Sequence, residues 1–289
     1  MRILLTGRTG QVGSALAPRL ASLGSVVAPP RAALDLARPG AVRAAVRDAG
    51  PDLIVNAAAY TAVDRAEADR AAAFAVNADA AGLLAEEARA RGALLVHFST
   101  DYVFDGAKAG PYVETDPPAP LNAYGESKLA GERAIAASGC RHLVFRTSWV
   151  YAPGGRNFVN AILAAARTKD ELRVVDDQTG APTSGAAIAG AVAAVLADPA
   201  LEAKPWGLYH LSAAGRTTWF GFAEEILRAA GSRARLVPTT TAAYGAPARR
   251  PRQSLLDNGK LRETFGVRMA DWREAFRPLA AEFLRGGSA

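Results

Sequence analysis

Cysteine is nearly absent: Cys140 is the single one among 289 residues. One thiol excludes an internal disulfide framework and a multi-cysteine zinc site. Long apolar runs are also lacking. A long uncharged stretch, Ala181 to Ala197, is mostly alanine and glycine, includes Pro182, and falls short of the ~20 predominantly apolar residues needed to span a bilayer. A buried helix is the expectation there, with no membrane partner. No charged-then-apolar leader follows Met1, so the expected setting is the cytoplasm. Acidic residues are outnumbered, giving a formal net charge of +6 and a pI near 9.7. The excess is mostly arginine scattered through alanine-rich segments, with one tight cluster at Arg249-Arg250-Pro251-Arg252. A scattered excess is solvated surface or suits an anionic small molecule, and nucleic acid is not expected as a partner.

Half of the residues are hydrophobic and 21% are charged, enough to bury a substantial core in one large or two modest domains. Ile3-Leu4-Leu5 reads as a short buried strand and runs into Thr6-Gly7-Arg8-Thr9-Gly10-Gln11-Val12-Gly13, after which a helical pattern starts. Strand, glycine loop and helix in that order form a dinucleotide cradle. Gly7 allows the tight turn, Gly10 lets the backbone approach a pyrophosphate, Gly13 lets helix and strand pack closely, and the helix N-terminus receives the phosphate charge. Further strands are expected at Ser25–Ala28, Leu53–Asn56, Leu94–Phe98 and Leu143–Arg146. Helices are expected at Ala41–Asp48, from Asp69 to Arg91 as one long element, around Tyr124 and Lys128, and as closing segments at Lys260–Phe265 and Trp272–Leu284. Such alternation predicts an α/β fold: a Rossmann-type doubly wound parallel sheet over residues 1–150, with later segments crossing back. Residues 151–289 are expected to form mainly a smaller C-terminal α/β substrate-binding domain.

Where an acidic residue would grip the ribose hydroxyls of NAD, the second strand leads instead into Pro29-Pro30-Arg31. Arg8 and Arg31 lie where a 2′-phosphate would be accommodated, which favours NADPH and leaves NADH as a second choice. Ordinary surface arginines are the alternative reading. Asp35 and Leu36 begin the next turn and are placed to cover the adenine. Ala59, Tyr60 and Thr61 follow the third strand, and small residues there let the chain run close to the dinucleotide or simply pack a strand–loop junction.

Tyr124 and Lys128 are four residues apart, side by side on one helical face. An adjacent ammonium lowers the pKa of a phenol, so Lys128 is expected to make Tyr124 a usable proton donor. Thr100 follows an apolar strand and is expected to sit at its end. Together these residues can hold a carbonyl and protonate its oxygen.

The motifs run nearly end to end. They include Gly7-x-x-Gly10-Gln11-Val12-Gly13, Leu34-Asp35-Leu36, Asn56-Ala-Ala-Ala-Tyr60-Thr61-Ala-Val-Asp64, Ser99-Thr-Asp-Tyr-Val-Phe-Asp-Gly106, Tyr124-Gly-Glu-Ser-Lys128, Arg146-Thr-Ser-Trp149-Val-Tyr151, Asn157-Phe-Val159, Asp177-Gln-x-Gly180-x-Pro182-Thr183 and Arg250-Pro-x-x-Ser254. With them the chain resembles the extended short-chain dehydrogenase/reductases, and among these the reductases that convert dTDP-4-dehydro-L-rhamnose to dTDP-L-rhamnose. The resemblance implies a hydride from NADPH, a proton from Tyr124, and Lys128 holding the nicotinamide ribose. It also implies Thr100 hydrogen-bonded to the reacting oxygen. Asp101, Tyr102 and Trp149 are implied to contact the dTDP-sugar, and Arg250 its diphosphate. A core role for Trp149 and a solvated loop for Arg250 are the competing readings. Some relatives pair through a magnesium ion held by glutamates. Here Ser14-Ala15 follows the glycine loop and no carboxylate lies in Thr183–Ala197, so no metal site and a monomer or weak homodimer are expected. Dehydratases of this type carry an extra acid, commonly glutamate, where Tyr102 stands, which disfavours elimination. Another nucleotide-sugar 4-ketoreductase or epimerase, and a non-catalytic NADP-binding regulatory subunit, are the other functions compatible with the fold.

Overall fold

Residues 1–286 are described by a computed structural model of the chain. Its first strand, β1 (Arg2–Thr6), enters α1 (Gln11–Ala21) through the glycine loop and returns as β2 (Ser25–Val27), followed by α2 (Pro39–Ala49) and β3 (Leu53–Asn56). The sequence predicted one helix from Asp69 to Arg91. The chain instead forms α3 (Val63–Ala68), α4 (Arg70–Phe74), a π-helical turn over Ala75–Asp79 and α5 (Ala80–Arg91). The widened turn has a packing cause. A Cβ on Gly131 of the following helix would collide with the Asn77 carbonyl, so the two backbones meet directly there. Asn77 is buried and uses its side chain on the Tyr60 amide and carbonyl and on the Ser127 hydroxyl.

Then come β4 (Leu94–Thr100), α6 (Ala123–Ser138), β5 (His142–Thr147) and the short β6 (Val150–Tyr151). The remaining chain supplies α7 (Phe158–Ala166), β7 (Glu171–Val175), β8 (Thr179–Gly180), β9 (Thr183–Ser184), α8 (Gly185–Leu196) and β10 (Gly207–His210). It ends in β11 (Thr217–Thr218), α9 (Trp219–Ala229), β12 (Arg235–Thr239), α10 (Thr241–Tyr244), α11 (Gly259–Phe265) and α12 (Trp272–Gly286).

Six parallel strands pair in the order β2-β1-β3-β4-β5-β10. The chain steps outward from β1 to β2 and then returns to the other side of β1, so β1 and β3 flank a topological switch point. Ligands of open α/β sheets bind outside the carboxyl ends of the strands at such a point. Both faces of the sheet are covered. Ile3, Leu5, Val55 and Val96 pack with Leu16 and Leu20 of α1 and Ile188 and Val192 of α8. Leu4, Ile54 and Leu95 pack with Val42 and Val46 of α2, Leu84 of α5 and Ile135 of α6. Coverage of both faces explains why β3 and β4 are buried at every residue and read as mainly apolar runs, polar only at Asn56, His97, Ser99 and Thr100. A second core joins Val159, Ile162, Leu172, Phe222, Ile226, Trp272 and Phe276. It lies beside a parallel pairing of β7 with β12.

Candidate active site

At the carboxyl end of β1 the backbone of Gly7 has φ +69°, and a Cβ there would lie 2.6 Å from the Ala58 nitrogen. The third glycine is equally constrained: a Cβ on Gly13 would run into the Gly7 carbonyl. Gly10 is the N-cap of α1, bears no capping side chain, and is followed by no acidic residue in the first turn. The helix start therefore offers free N–H groups and its positive end to an anion. An open cavity of about 570 Å³ adjoins the loop, lined by Arg8, Ser14, Ala17, Pro18, Val26 and Ala28. It contains none of the proposed catalytic side chains and bears only on the cofactor side. A backbone this close to β3, an uncovered helix start and an arginine at the cavity fit a dinucleotide bearing an extra phosphate. Gln11 and Val12 open α1. Arg31 is exposed in the turn after β2. The Asp35 carboxylate accepts from the Ala37 amide and shapes its own turn. Leu36 is 7% exposed and packs in the core with Leu4 and Val42, so its side chain is committed beneath the sheet. Ala59 and Thr61 flank Tyr60, whose hydroxyl meets Asp69 and Arg65.

Thr100 ends β4 and caps the turn Asp101–Val103 by accepting from the Tyr102 amide. Its hydroxyl also donates to Asp101 Oδ1 at 3.1 Å. Tyr124 stands in the first turn of α6, whose start is fixed by Asn122 accepting from the Gly125 amide and by Glu67 accepting from the Ala123 amide. A Cβ on Gly125 would strike the Tyr102 carbonyl, so the helix start lies directly against the turn that carries Asp101 and Tyr102. Thr100 and Tyr124 are joined by a side-chain hydrogen bond, and the ring of Tyr102 meets that of Tyr124 edge-on.

The electrostatics depart from the expectation drawn from spacing. Burial pushes the Tyr124 phenol up to about 12, opposed by the Thr100 hydrogen bond and reinforced by Asp101. Lys128 does not lower it. Burial drives the Lys128 ammonium down to about 8, and its Nζ is 3.1 Å from His97 Nε2. Burial pushes both groups toward neutrality, outweighing the Thr100 hydrogen bond at Tyr124 and the Glu132 carboxylate near Lys128. Burial likewise holds the Asp101 carboxyl up at about 7 despite hydrogen bonds from Ser254 and Thr100. Tyr124 is therefore a neutral phenol, with a proton to give, over the whole neutral range.

On the other wall Trp149 is buried and has φ +47°, a left-handed backbone that costs a tryptophan about 1–2 kcal/mol. The strained residue lays its indole flat on Trp219, with ring centroids 3.6 Å apart, beneath Gly180, where a Cβ would overlap the ring. Gln178 accepts from Trp219 Nε1 and fixes the pair. Arg250 does not present a free fork. Its guanidinium grips both oxygens of Asp64 at 3.0 and 2.8 Å and hydrogen-bonds Tyr102.

Several residues of this site escaped sequence reasoning. His97 sits in a strand that reads simply as apolar. Trp219 follows two threonines at a helix start with no motif to mark it. Glu132 lies one turn beyond Lys128, accepts from Ser99 Oγ at 2.5 Å, and takes a two-pronged ion pair from Arg146 of β5 at 2.9 and 2.6 Å. The Lys128-to-Glu132 spacing was visible, but its buried partner is eighteen residues beyond Lys128 on another strand. Among the described residues no cluster of three or more metal-ligating side chains occurs, and no helix is long and apolar enough to cross a membrane.

Comparison with known proteins gives a consistent answer. The family model described as the RmlD substrate binding domain matches residues 1–285. A dTDP-4-dehydrorhamnose reductase of Burkholderia thailandensis is 50% identical over 287 residues, covering 95% of this chain and 96% of its own. The solved structure of a dTDP-4-dehydrorhamnose reductase from Clostridium acetobutylicum superposes with a TM-score of 0.92 at 36% identity, covering 97% of this chain and 99% of the other. The Bacillus anthracis dTDP-4-dehydrorhamnose reductase, solved in complex with NADP, gives 0.90 at 34% identity with the same coverage.

Proposed function

The chain belongs to the RmlD substrate binding domain family, and on that premise we propose that it is an NADPH-dependent reductase of dTDP-4-dehydro-L-rhamnose, yielding dTDP-L-rhamnose. The observation that carries this reading is the pairing of buried Thr100 with part-buried Tyr124 at the carboxyl end of β4, with Lys128 one helical turn below and the glycine loop two strands away. Bound NADPH would supply the hydride. The chain supplies the rest. Thr100 orients the 4-keto oxygen and Tyr124 gives it the phenolic proton, while Lys128 is positioned to hold the nicotinamide ribose. Asp101 and Tyr102 face the sugar, Trp149 with its stacked partner Trp219 walls one side of the sugar site, and Arg250 meets the diphosphate by giving up part of its grip on Asp64. Gly7, Arg8, Gly10, Gln11, Val12, Gly13 and Arg31 bind the cofactor. Ser14 stands where a magnesium-binding carboxylate would be needed, so this reading includes no bridging metal.

The test is to mix purified protein with NADPH and enzymatically prepared dTDP-4-dehydrorhamnose and follow the loss of reduced-nicotinamide absorbance. Sugar-dependent oxidation giving dTDP-rhamnose by mass and co-elution is expected. In Tyr124→Phe, kcat should fall by about 10²-fold or more while NADPH still binds. Full activity in that variant would remove Tyr124 as the acid.

A further inference from the structure

Thr6, Asn56 and His97 lie side by side on three neighbouring strands, in register from β1 to β3 to β4. All three are buried. Thr6 Oγ1 meets Asn56 Oδ1 at 2.6 Å, Asn56 Nδ2 meets His97 Nδ1 at 3.0 Å, and His97 Nε2 meets Lys128 Nζ at 3.1 Å. The polar row begins beside the glycine loop, because Thr6 precedes Gly7 and its hydroxyl accepts from the Ala58 amide. It ends on the lysine of the proposed catalytic trio.

The hydrogens can be assigned along this row from its free end. Thr6 Oγ1 already accepts from Ala58, so its own proton is available to Asn56, and 2.6 Å is the length of an O–H to O bond rather than an N–H to O bond. The Asn56 amide nitrogen therefore points to His97 and donates to Nδ1. A neutral imidazole accepting at Nδ1 carries its proton on Nε2, aimed at Lys128 Nζ. That contact is a hydrogen bond when Lys128 is an amine and a donor–donor conflict when it is an ammonium. For the ammonium to donate, the imidazole proton must sit on Nδ1, which in turn requires the Asn56 amide to turn so that its nitrogen, not its oxygen, faces Thr6 Oγ1.

We infer that His97 is a positioning residue for Lys128: the place of its single proton and the protonation of Lys128 Nζ are tied to each other, and through Asn56 and Thr6 to the strand end that carries the glycine loop. The consequence for turnover rests on the reductase reading, but the coupling itself does not. The other charged groups around α6 leave His97 as the direct partner of Nζ. Glu132 on the next turn favours the cation but is engaged by Arg146 of β5 and by Ser99 of β4. Asp101 acts on Tyr124, Arg70 of α4 pairs with Glu126, and Glu67 of α3 is bound to the Ala123 amide. Burial and the nearby Lys128 both keep His97 far from the imidazolium form. It thus serves as a tautomeric partner and not as a second charge.

The chain has three histidines, which makes a direct reading practical. Protein labelled with ¹⁵N-histidine, without added nucleotide, would be followed by long-range ¹H–¹⁵N correlation from mildly acidic to alkaline pH, with His97 assigned by its loss in His97→Gln. The expected result is a neutral ring throughout, protonated on Nε2 at high pH and shifting toward Nδ1 as Lys128 gains its proton. In Lys128→Met the Nε2–H form should persist at every pH. Identical tautomers in the wild type and Lys128→Met across the range would overturn the coupling, whatever the enzyme reduces. In the sugar assay His97→Leu should lower kcat about 10-fold or more and move the pH profile, while His97→Gln, which keeps a polar atom at the Nε2 position, should recover most of it. An unchanged kcat and profile in a folded His97→Leu protein would overturn the positioning role.

Discussion

Asp101 carries the most direct pH signature of any single residue. Its carboxyl is held at about 7 in the folded chain, against an ordinary value of 3.8, because burial penalises the anion more than Ser254 and Thr100 favour it. The folded state therefore binds more protons than the unfolded state between those two values. The contribution of Asp101 to stability falls as pH rises through that window, by at most about 4 kcal/mol. Buried His97 and His210, held below the ordinary imidazole value of 6.5, push the other way over the same range, so Asp101→Asn, with no carboxyl to ionise, should gain melting temperature from pH ~4 to ~7 more steeply than the wild type. Equal slopes would show that Asp101 ionises freely. This behaviour was illegible in the sequence. Asp101 follows Thr100 in a recognisable motif, but the fact that it is only 2% exposed depends on Tyr102, Ser254 and the start of α6 closing around it. The same holds for Tyr124 and Lys128. Their four-residue spacing placed them on one helical face, yet spacing is blind to burial, and burial reversed the expected direction of the phenol's pKa.

At the scale of elements, α6 is fastened to the sheet by charge as well as by packing. Glu132 and Arg146 are both buried, at 8% and 3% exposure, and the pair clamps the helix to β5 with Ser99 of β4 completing the contact. Arg146 also lies over the Phe104 ring, 4.9 Å from its centre. Glu132→Gln would leave a buried guanidinium without its counter-charge and should destabilise the protein by about 3–5 kcal/mol in chemical denaturation. A loss below about 1 kcal/mol would mean that water reaches the pair. Most elements of the sheet were visible beforehand because a strand covered on both faces is a short, largely apolar run, and β1, β3, β4 and β5 are of that kind. The short helix α3 before Asp69 and the π turn at Ala75–Asp79 were not. Alanine-rich sequence suits any helical pitch, and the choice was made by Gly131 and Asn77 meeting across the interface.

Over the whole molecule, the segment after β5 does not stay apart from the first half. β10 adds the sixth strand beside β5, α8 packs on α1, and the loop at Ala248–Arg250 returns to the start of α6. There Asn122 donates to the Arg249 carbonyl at 2.7 Å, and Asp64 holds Arg250. Composition shows no boundary because both halves share the same alanine-rich surface, and chain reversal of this kind is decided by pairing that no local pattern records. The arrangement puts the glycine loop and Arg250 on different parts of the site, so their ligands should be separable by thermal shift. NADPH at 100 times its Kd should stabilise the wild type by about 2.7 kcal/mol, a rise of about 4 °C for a chain of this length. Arg250→Gln should keep that rise, since Arg250 touches Asp64 and Tyr102 and no residue of the glycine loop. The rise given by dTDP alone should shrink, with dTDP affinity down about 10-fold for the loss of a charge-assisted contact to phosphate. Because Asp64 is about half exposed, losing its ion pair with Arg250 should itself cost no more than about 1 kcal/mol, leaving the variant folded for both measurements. If Arg250→Gln instead lost the NADPH rise and kept that of dTDP, Arg250 would belong to the cofactor and the diphosphate would have to be bound elsewhere.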